Sequence, residues 1–214
     1  CEVLAHGRAG THDRSWFLTE NGMFKRFEQQ VIDADGVDIN LVRGGSGPPV
    51  LLLHGYPQTH TMWHEVAPIL AQHFTVVAPD LRGYGDSAKP DAGADHFGYS
   101  KRATAADQVA LMAALGFEKF ALVGHDRGAR VAHRLTLDHP ERVQRLALID
   151  IVPTHTAFAG TNQEMAKSYY HWFFLSQPFD LPERLIGGDP VFYLHWCLKG
   201  WGNGSLDYFL PEAL

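Results

Sequence analysis

The sequence lacks the features that mark secreted, membrane-spanning or nucleic-acid-binding proteins. Its 214 residues include only two cysteines, Cys1 and Cys197, so neither a disulfide framework nor a cysteine metal motif is indicated. No apolar run approaches the roughly 18 to 20 residues that a membrane-spanning helix needs. The formal net charge is -6, which argues against a basic surface for nucleic acid. We therefore expect a cytoplasmic protein with no nucleic acid or membrane partner.

Both ends of the chain lack a regular pattern. Residues 1–22 show neither strand alternation nor a helical stripe, nor the apolar core of a signal peptide, so we predict an N-terminal extension outside the domain. At the other end, the sequence stops at Leu214 without the closing strand and helix that its earlier pattern leads us to expect. We therefore predict a chain truncated at its C-terminus.

What the sequence does contain is an alternation of strand and helix from about residue 50 to 152. Apolar runs such as PPVLLL and FALVG are typical of strands buried on both faces of a parallel sheet, and helical spacing follows each of them. Before them, alternation around Asp35-Gly36 predicts a hairpin, and Ser100 and Gly116 are expected to begin and end a helix. From Pro153 the chain becomes aromatic and helical. These patterns predict a doubly wound α/β sheet with functional groups at the carboxyl ends of its strands, in residues 23–152, and a partial helical cap in residues 153–214.

The stretch VGHDRGAR, residues 123–130, carries the strongest chemical signal. Gly124 and Gly128 lie two residues on either side of Asp126, at a turn between a predicted strand and a predicted helix, where side chains would clash. This pattern predicts a sharp elbow that projects Asp126 above the sheet. The alternative is an aspartate that only caps the helix.

An aspartate at such an elbow favours attack on a saturated carbon. A carboxylate with a pKa of about 4 is already anionic at neutral pH, but it is a weak nucleophile towards esters and amides. Displacement of a leaving group would give an ester on Asp126, and its hydrolysis needs a general base and an oxyanion hole. The backbone N–H groups of Tyr56, after the first central strand, and of Arg127 are candidates for that hole. Asp150 ends the following strand, where it could orient a histidine or serve as a turn residue.

Several charged and histidine side chains leave alternatives open. Arg127 and Arg130 could bind a substrate carboxylate through bidentate hydrogen bonds, or could simply pair with Asp126 and Asp107. The residues themselves leave these two interpretations about equally supported. His60 and His64 have helical spacing that could suit a metal, but no third ligand is evident. We therefore predict solvated histidines, and no metal and no organic cofactor.

Together these motifs resemble the α/β-hydrolase superfamily, and within it the haloacetate (fluoroacetate) dehalogenases. The resemblance extends from about Gly36 to Trp201 and includes LLLHGYPQTHTMWHEVAP, APDLRGYGDS, GHDRGAR, LDHPERVQRLALIDIVPT and SYYHWFF. GHDRGAR is among its most specific parts, because related haloalkane dehalogenases and epoxide hydrolases usually carry an aromatic residue where this chain has Arg127. The resemblance implies hydrolysis of haloacetate to glycolate and halide by a protein that needs no cofactor and forms a homodimer through its cap.

The resemblance also implies a role for each matched position. By this resemblance Asp126 is the nucleophile and Asp150 is the triad acid. Arg127 and Arg130 bind the substrate carboxylate. His171 and Trp172 donate hydrogen bonds to the departing halide. Judged without the resemblance, the SYYHWFF segment is better interpreted as the aromatic core stripe of a cap helix. The family's triad histidine follows a late strand, whereas all 13 histidines of this chain lie at or before His195.

Two other functions stay open. An epoxide hydrolase would use the same aspartate with cap tyrosines to protonate the opening ring, and Tyr169, Tyr170 and Tyr193 are candidates. A truncated, non-catalytic hydrolase fragment is the second, because the expected triad histidine is missing. No Gly-x-Ser-x-Gly occurs, so a serine esterase is not favoured.

Overall fold

The computed structural model describes residues 22–214 and, through its backbone, one short strand before them. The predicted N-terminal extension therefore lies largely outside the described residues. The described strands form one sheet in the order β1-β2-β3-β5-β4-β6-β7. In chain order they are β1 Phe17–Leu18, β2 Phe27–Asp33, β3 Asp38–Gly44, β4 Pro49–Leu53, β5 Thr75–Pro79, β6 Phe120–His125 and β7 Val143–Ile149.

The sheet is antiparallel at its beginning and parallel where the central strands lie. The antiparallel pairs are β1 with β2, β2 with β3, and β3 with β5. The parallel pairs are β4 with β5, β4 with β6, and β6 with β7. The predicted hairpin is confirmed: Asp33 faces Asp38 across it, and Asp35 and Gly36 have positive φ angles of 57° and 86°. Because the parallel strands all point the same way, their carboxyl ends form one edge of the sheet.

Helices connect the strands and then continue as a separate helical segment. The α-helices are α1 Val66–Leu70, α2 Lys101–Ala114, α3 Arg127–Asp138, α4 Thr154–Ala159, α5 Gln163–Ser168, α6 Tyr170–Phe174, α7 Leu181–Gly188 and α8 Pro190–Trp201, with short 3-10 turns at His60–Trp63, Phe97–Tyr99 and Pro211–Ala213. The predicted cap of α2 is confirmed, because the Ser100 hydroxyl accepts a hydrogen bond from the Ala103 N–H at 3.1 Å. Gly116 follows the helix with a φ of 83°.

Alternation along β4 explains why the sheet has a hydrophobic core on each face. Leu51 and Leu53 pack with residues of α2 and α3, whereas Val50 and Leu52 pack with Trp63 and the α1 side. The predicted fold class, an α/β sheet covered on both faces and followed by helices, is confirmed. The exact domain boundaries stay a prediction. None of the helices in the described part of the chain is long and apolar enough to cross a membrane.

Candidate active site

The elbow, residues 124–128, is shaped by backbone contacts that only glycine permits. A Cβ atom on Gly128 would lie 2.4 Å from the carbonyl oxygens of Leu53 and His54, and one on Gly124 would lie 2.6 Å from the Cα of Ala129. These distances are far below van der Waals contact, so β4, β6 and α3 approach each other closely only because both positions lack a side chain. The predicted sharp turn at the carboxyl end of β6 is present.

Asp126 adopts a backbone conformation that most residues avoid. It lies at the N-cap position of α3 with φ 45° and ψ -114°, and its side chain makes no capping hydrogen bond. Its carboxylate instead accepts a hydrogen bond from the backbone N–H of Tyr56, with 2.9 Å between N and Oδ2. Its own N–H donates to the carbonyl oxygen of Ile149 at 3.1 Å. The alternative of a simple helix cap is therefore wrong, and a strained residue held with its carboxylate off the helix is typical of a functional site.

The two predicted arginines lie at the start of α3 and stack on aromatic rings. The guanidinium carbon of Arg127 lies 5.0 Å from the ring centroid of Tyr56, and that of Arg130 lies 4.3 Å from the ring centroid of Trp172. Arg130 also donates to the Thr154 hydroxyl at 2.7 Å. Burial lowers the pKa of Arg130, and the nearby Asp126 partly opposes that effect.

The alternative that these arginines merely pair with carboxylates is not supported. Asp107 is bound by Arg82 through two hydrogen bonds, so it is not the partner of Arg130. Among the ion pairs of the described residues, none includes Arg127 or Arg130. Both guanidinium groups therefore remain available to an anion.

His171 and Trp172 lie in α6, and the structure brings both near the elbow. Trp172 stacks on Arg130, and the His171 ring packs against Trp201 with 4.5 Å between centroids. The Nδ1 atom of His171 is buried and has no hydrogen-bond partner in the part of the chain that the structure describes. Trp201 also lies 6.2 Å from the Tyr56 ring, so His171 approaches the elbow region through Trp201. Burial lowers the pKa of His171, while the charge of Asp126 raises it and that of Arg127 lowers it. An imidazole nitrogen without a partner can serve a ligand.

Asp150 follows β7 at the predicted edge, beside the elbow. It has a positive φ of 57°, and its side chain is 79% exposed. Its carboxylate lies 3.9 Å from Nε2 of His125, the residue before Asp126. The structure thus places Asp150 next to the elbow strand. The histidine it approaches is His125 at the end of β6, whereas the resemblance leads us to expect a triad histidine after a later strand.

The prediction of solvated histidines is wrong for His60. Its ring is buried, and Nδ1 lies 2.9 Å from Oδ1 of Asp80, which also accepts the His60 N–H at 2.8 Å. Asn40 donates to the other carboxylate oxygen of Asp80 at 2.9 Å. Burial raises the pKa of Asp80, but the hydrogen bonds and charge of His60 outweigh it and lower the pKa to about 2. This network ties the segment after β4 to the loop after β5, and a sequence pattern could not reveal it.

His54 is also part of the structural support of the site. Its Nε2 accepts the Leu81 N–H at 3.0 Å, so the neutral ring donates from Nδ1 to the Gly55 carbonyl oxygen at 2.9 Å. Burial is the main reason that the pKa of His54 falls to about 4. Within the described residues no group of three or more histidine, cysteine, aspartate or glutamate side chains could hold a metal ion.

The sequence did not reveal one contact between two of the candidate residues, nor one further residue of the site. The hydroxyl of Tyr56 hydrogen-bonds to that of Tyr193 in α8 at 3.2 Å, which links the elbow region to the helical segment. Lys101, the first residue of α2, lines both cavities that flank the start of α3. The only available signal for Lys101 was a cation directly after a helix N-cap, which is an unfavourable place for positive charge.

Comparison with known protein families agrees with this geometry. The family model described as "alpha/beta hydrolase fold" matches residues 48–206, which include the elbow, both arginines and the helices α4 to α8. This chain belongs to the alpha/beta hydrolase family. The elbow of this family member carries aspartate at its centre.

Individual relatives support the narrower resemblance to haloacetate dehalogenases. This α/β hydrolase is 53% identical over 192 residues to a fluoroacetate dehalogenase from Burkholderia sp, and the match covers 90% of this chain and 63% of that protein. It is 44% identical to a soluble epoxide hydrolase from Corynebacterium sp., covering 81% of this chain and 58% of that protein. The crystal structure of a Nostoc sp PCC 7120 protein described as an alpha/beta hydrolase superposes with a TM-score of 0.85 and 60% identity, covering 87% of this chain and 64% of that one. The chain thus spans about 60% of the length of these relatives.

Proposed function

We propose that the intact protein hydrolyses the carbon–halogen bond of a haloacetate, giving glycolate and halide through an ester on Asp126. One observation carries this proposal. The Asp126 carboxylate caps no helix, and the guanidinium groups of Arg127 and Arg130 beside it have no carboxylate partner among the described residues. A substrate carboxylate would satisfy the guanidinium groups, and the attached carbon would then lie near Asp126. The similarity to a fluoroacetate dehalogenase supports this substrate class.

The first step of the proposed reaction follows from the hydrogen bonding of Asp126. Because Oδ2 is held by the Tyr56 N–H, Oδ1 is the oxygen left to attack the carbon that bears the halogen. A new C–O bond forms as the carbon–halogen bond breaks, and the halide leaves with the bonding electron pair. His171 and Trp172 are proposed to donate hydrogen bonds to that halide, replacing part of its hydration.

In the second step water attacks the carboxyl carbon of the Asp126 ester. Negative charge then develops on the oxygen that Tyr56 already holds, so its N–H, together with that of Arg127, is proposed as the oxyanion hole. A general base must take a proton from the water, and Asp150 is proposed to orient that base. As the tetrahedral intermediate collapses, the bond between the carboxyl carbon and Oδ1 breaks, and Oδ1 leaves as the hydroxyl oxygen of glycolate with the proton from the base. The water oxygen stays in the Asp126 carboxylate, and its second proton is released to solvent. The 214 residues contain no histidine after His195, so for this chain alone we expect the ester to form and persist.

The experiment separates the two steps. The intact protein incubated with chloroacetate or fluoroacetate should release halide, and the chain of residues 1–214 should gain one carboxymethyl group by intact mass. Asp126→Asn should abolish both results, because an amide is a far weaker nucleophile than a carboxylate. A folded intact protein that frees no halide from either acid would reject the proposed function.

An epoxide hydrolase is the second candidate, and the Tyr56–Tyr193 pair favours it. A phenol hydroxyl at the junction of elbow and helical segment could protonate an opening ring, because a tyrosine carries its proton at neutral pH. By contrast, Tyr169 and Tyr170 are 44% and 36% exposed. If the protein forms a diol from styrene oxide and is inert towards haloacetates, this function is favoured. Tyr193→Phe should then slow diol formation.

A further inference from the structure

A third cation, Lys101, lies near Arg127 and Arg130. Lys101 begins α2, and α2 packs against α3, whose first residue is Arg127. Its side chain forms a wall of two cavities: one of about 150 Å³ that Arg130 also lines, and one of about 80 Å³ that Arg127 also lines. Each cavity can hold a few water molecules, or a small anion in their place.

Besides the titratable side chains of His133, Tyr84 and Tyr99, two groups of charged residues line the cavities around Lys101. Arg82 and Arg134 also line these cavities, but each is neutralised by a carboxylate, Asp107 and Asp138 respectively. Lys101, like Arg127 and Arg130, has no carboxylate within ion-pair distance among residues 22–214.

Placing an unpaired ammonium group here is unfavourable for folding. Helices α2 and α3 both begin at this point, and the N-terminal end of a helix carries partial positive charge. Burial, together with the charges of Arg127 and Arg130, lowers the pKa of Lys101 to about 8, although Asp126 opposes the shift. A methionine or leucine would pack in this half-buried position without that cost. A cation retained at such a place is best explained by an anion that the site receives.

We propose that Lys101 is a specificity-determining residue, which acts with Arg127 and Arg130 to make the site select small carboxylate anions over neutral molecules. This inference rests on the proposed function, since it concerns the same substrate site. A carboxylate held by the two guanidinium groups would lie beside the cavities that Lys101 lines, where the ammonium group would attract it without direct contact. At an effective dielectric constant between those of protein and water, one nearby charge changes affinity about tenfold.

The test uses acetate, which carries the carboxylate but no leaving group, as the titrant for the intact protein. Lys101→Met should bind acetate about tenfold more weakly than the wild type at pH 7, and Lys101→Arg should bind it nearly as well. Lys119→Met is the matched control, because Lys119 is an exposed lysine just before the amino end of β6, at the opposite edge of the sheet. The control should leave acetate binding unchanged.

Two further readouts exclude a merely structural role for Lys101. Lys101→Met should melt at the same temperature as the wild type or higher, because an unfavourable charge is removed. Acetate affinity of the wild type should fall as the pH rises through about 8, where Lys101 loses its proton. Lys101→Arg should show no such fall, because its guanidinium group stays charged. The nearby tyrosines Tyr56 and Tyr84 do not add negative charge in this pH range, because burial raises their pKa values.

The inference and the proposed function fail separately. Equal acetate affinity of wild type and Lys101→Met, the same alkaline fall in Lys101→Arg, or no acetate binding by the wild type would each overturn the inference. If halide is released from chloroacetate but KM is the same with and without Lys101, the inference alone is wrong. If acetate binding depends on Lys101 and no halide is released, the inference stands and the proposed function is wrong.

Discussion

The neighbouring strands β6 and β7 divide the described residues by burial into a sheet half, which extends to the elbow after β6, and an exposed half, which begins with β7. In β6 every second residue is buried and the strand ends in the elbow, whereas in β7 all residues but the first are exposed. The helices after β7 continue the exposed half: from residue 151 onward the buried residues are Ala157, Pro182 and Cys197. Within the described residues, the carboxylate side of the site is therefore buried, while the side with His171 and Trp172 is held by aromatic contacts.

The largest expected difference between the halves comes from leucines that face each other across β6 and β7. Leu122 and Leu146 are register partners, but Leu122 is 1% exposed and Leu146 is 39% exposed. Leu122→Ala should lower the free energy of unfolding by about 2 to 5 kcal/mol, because it leaves a cavity in the core, and Leu146→Ala by about 1 kcal/mol or less. Urea denaturation of both variants of the 214-residue chain measures this difference. Equal losses would show that β7 is packed as tightly as β6.

A pair of glycine substitutions sharpens the comparison at the level of the backbone. Gly128→Ala places a Cβ atom 2.4 Å from two backbone carbonyl oxygens, so we expect a loss of about 3 kcal/mol and a displaced Asp126. In α7, a Cβ atom on Gly187 meets nothing within 4 Å. Gly187→Ala should therefore stabilise the protein by about 0.5 to 1 kcal/mol, since alanine is the better helix former. Thermal unfolding would contradict this prediction if both variants moved in the same direction.

The third difference is a pH dependence of the sheet half. The pKa of His54 is about 4 in the folded protein, below its unfolded value, so the unfolded chain binds a proton first as the pH falls. The stabilising contribution of neutral His54 is complete above about pH 6.5 and is lost as the pH falls from there to about 4. Stability measured by denaturant titration should thus decline between pH 7 and pH 4.5, and a His54→Asn variant should decline less. If the stability of His54→Asn declined as much as that of the wild type, other titratable groups would be the cause.

Local sequence patterns predicted the parts of the fold that neighbouring residues encode. Gly124 and Gly128 marked the elbow, Asp35-Gly36 the hairpin and Ser100 the helix start, because each conformation depends on the residue at that position or within one turn of it. The catalytic and binding roles assigned to these motifs remain proposals, since no contact in the structure by itself reveals a reaction.

Contacts between distant residues could not be predicted in this way. His60 and Asp80 are 20 residues apart, and Tyr56 and Tyr193 are 137 residues apart, yet each pair shares a hydrogen bond. A histidine in a polar segment has the same sequence signature whether it is solvated or buried against a carboxylate. Which of the two occurs depends on how β4 and β5 come together.

For this protein, the sequence by itself determined the alternation of strands and helices and an aspartate at the centre of a glycine elbow, because hydrophobic period and backbone freedom are local properties. Only the tertiary structure decided that the Asp126 carboxylate is held by the Tyr56 N–H, and that Lys101 joins two unpaired arginines beside it. Those arrangements depend on the parallel strands ending at one edge, where helix starts and loops that are far apart in the chain meet.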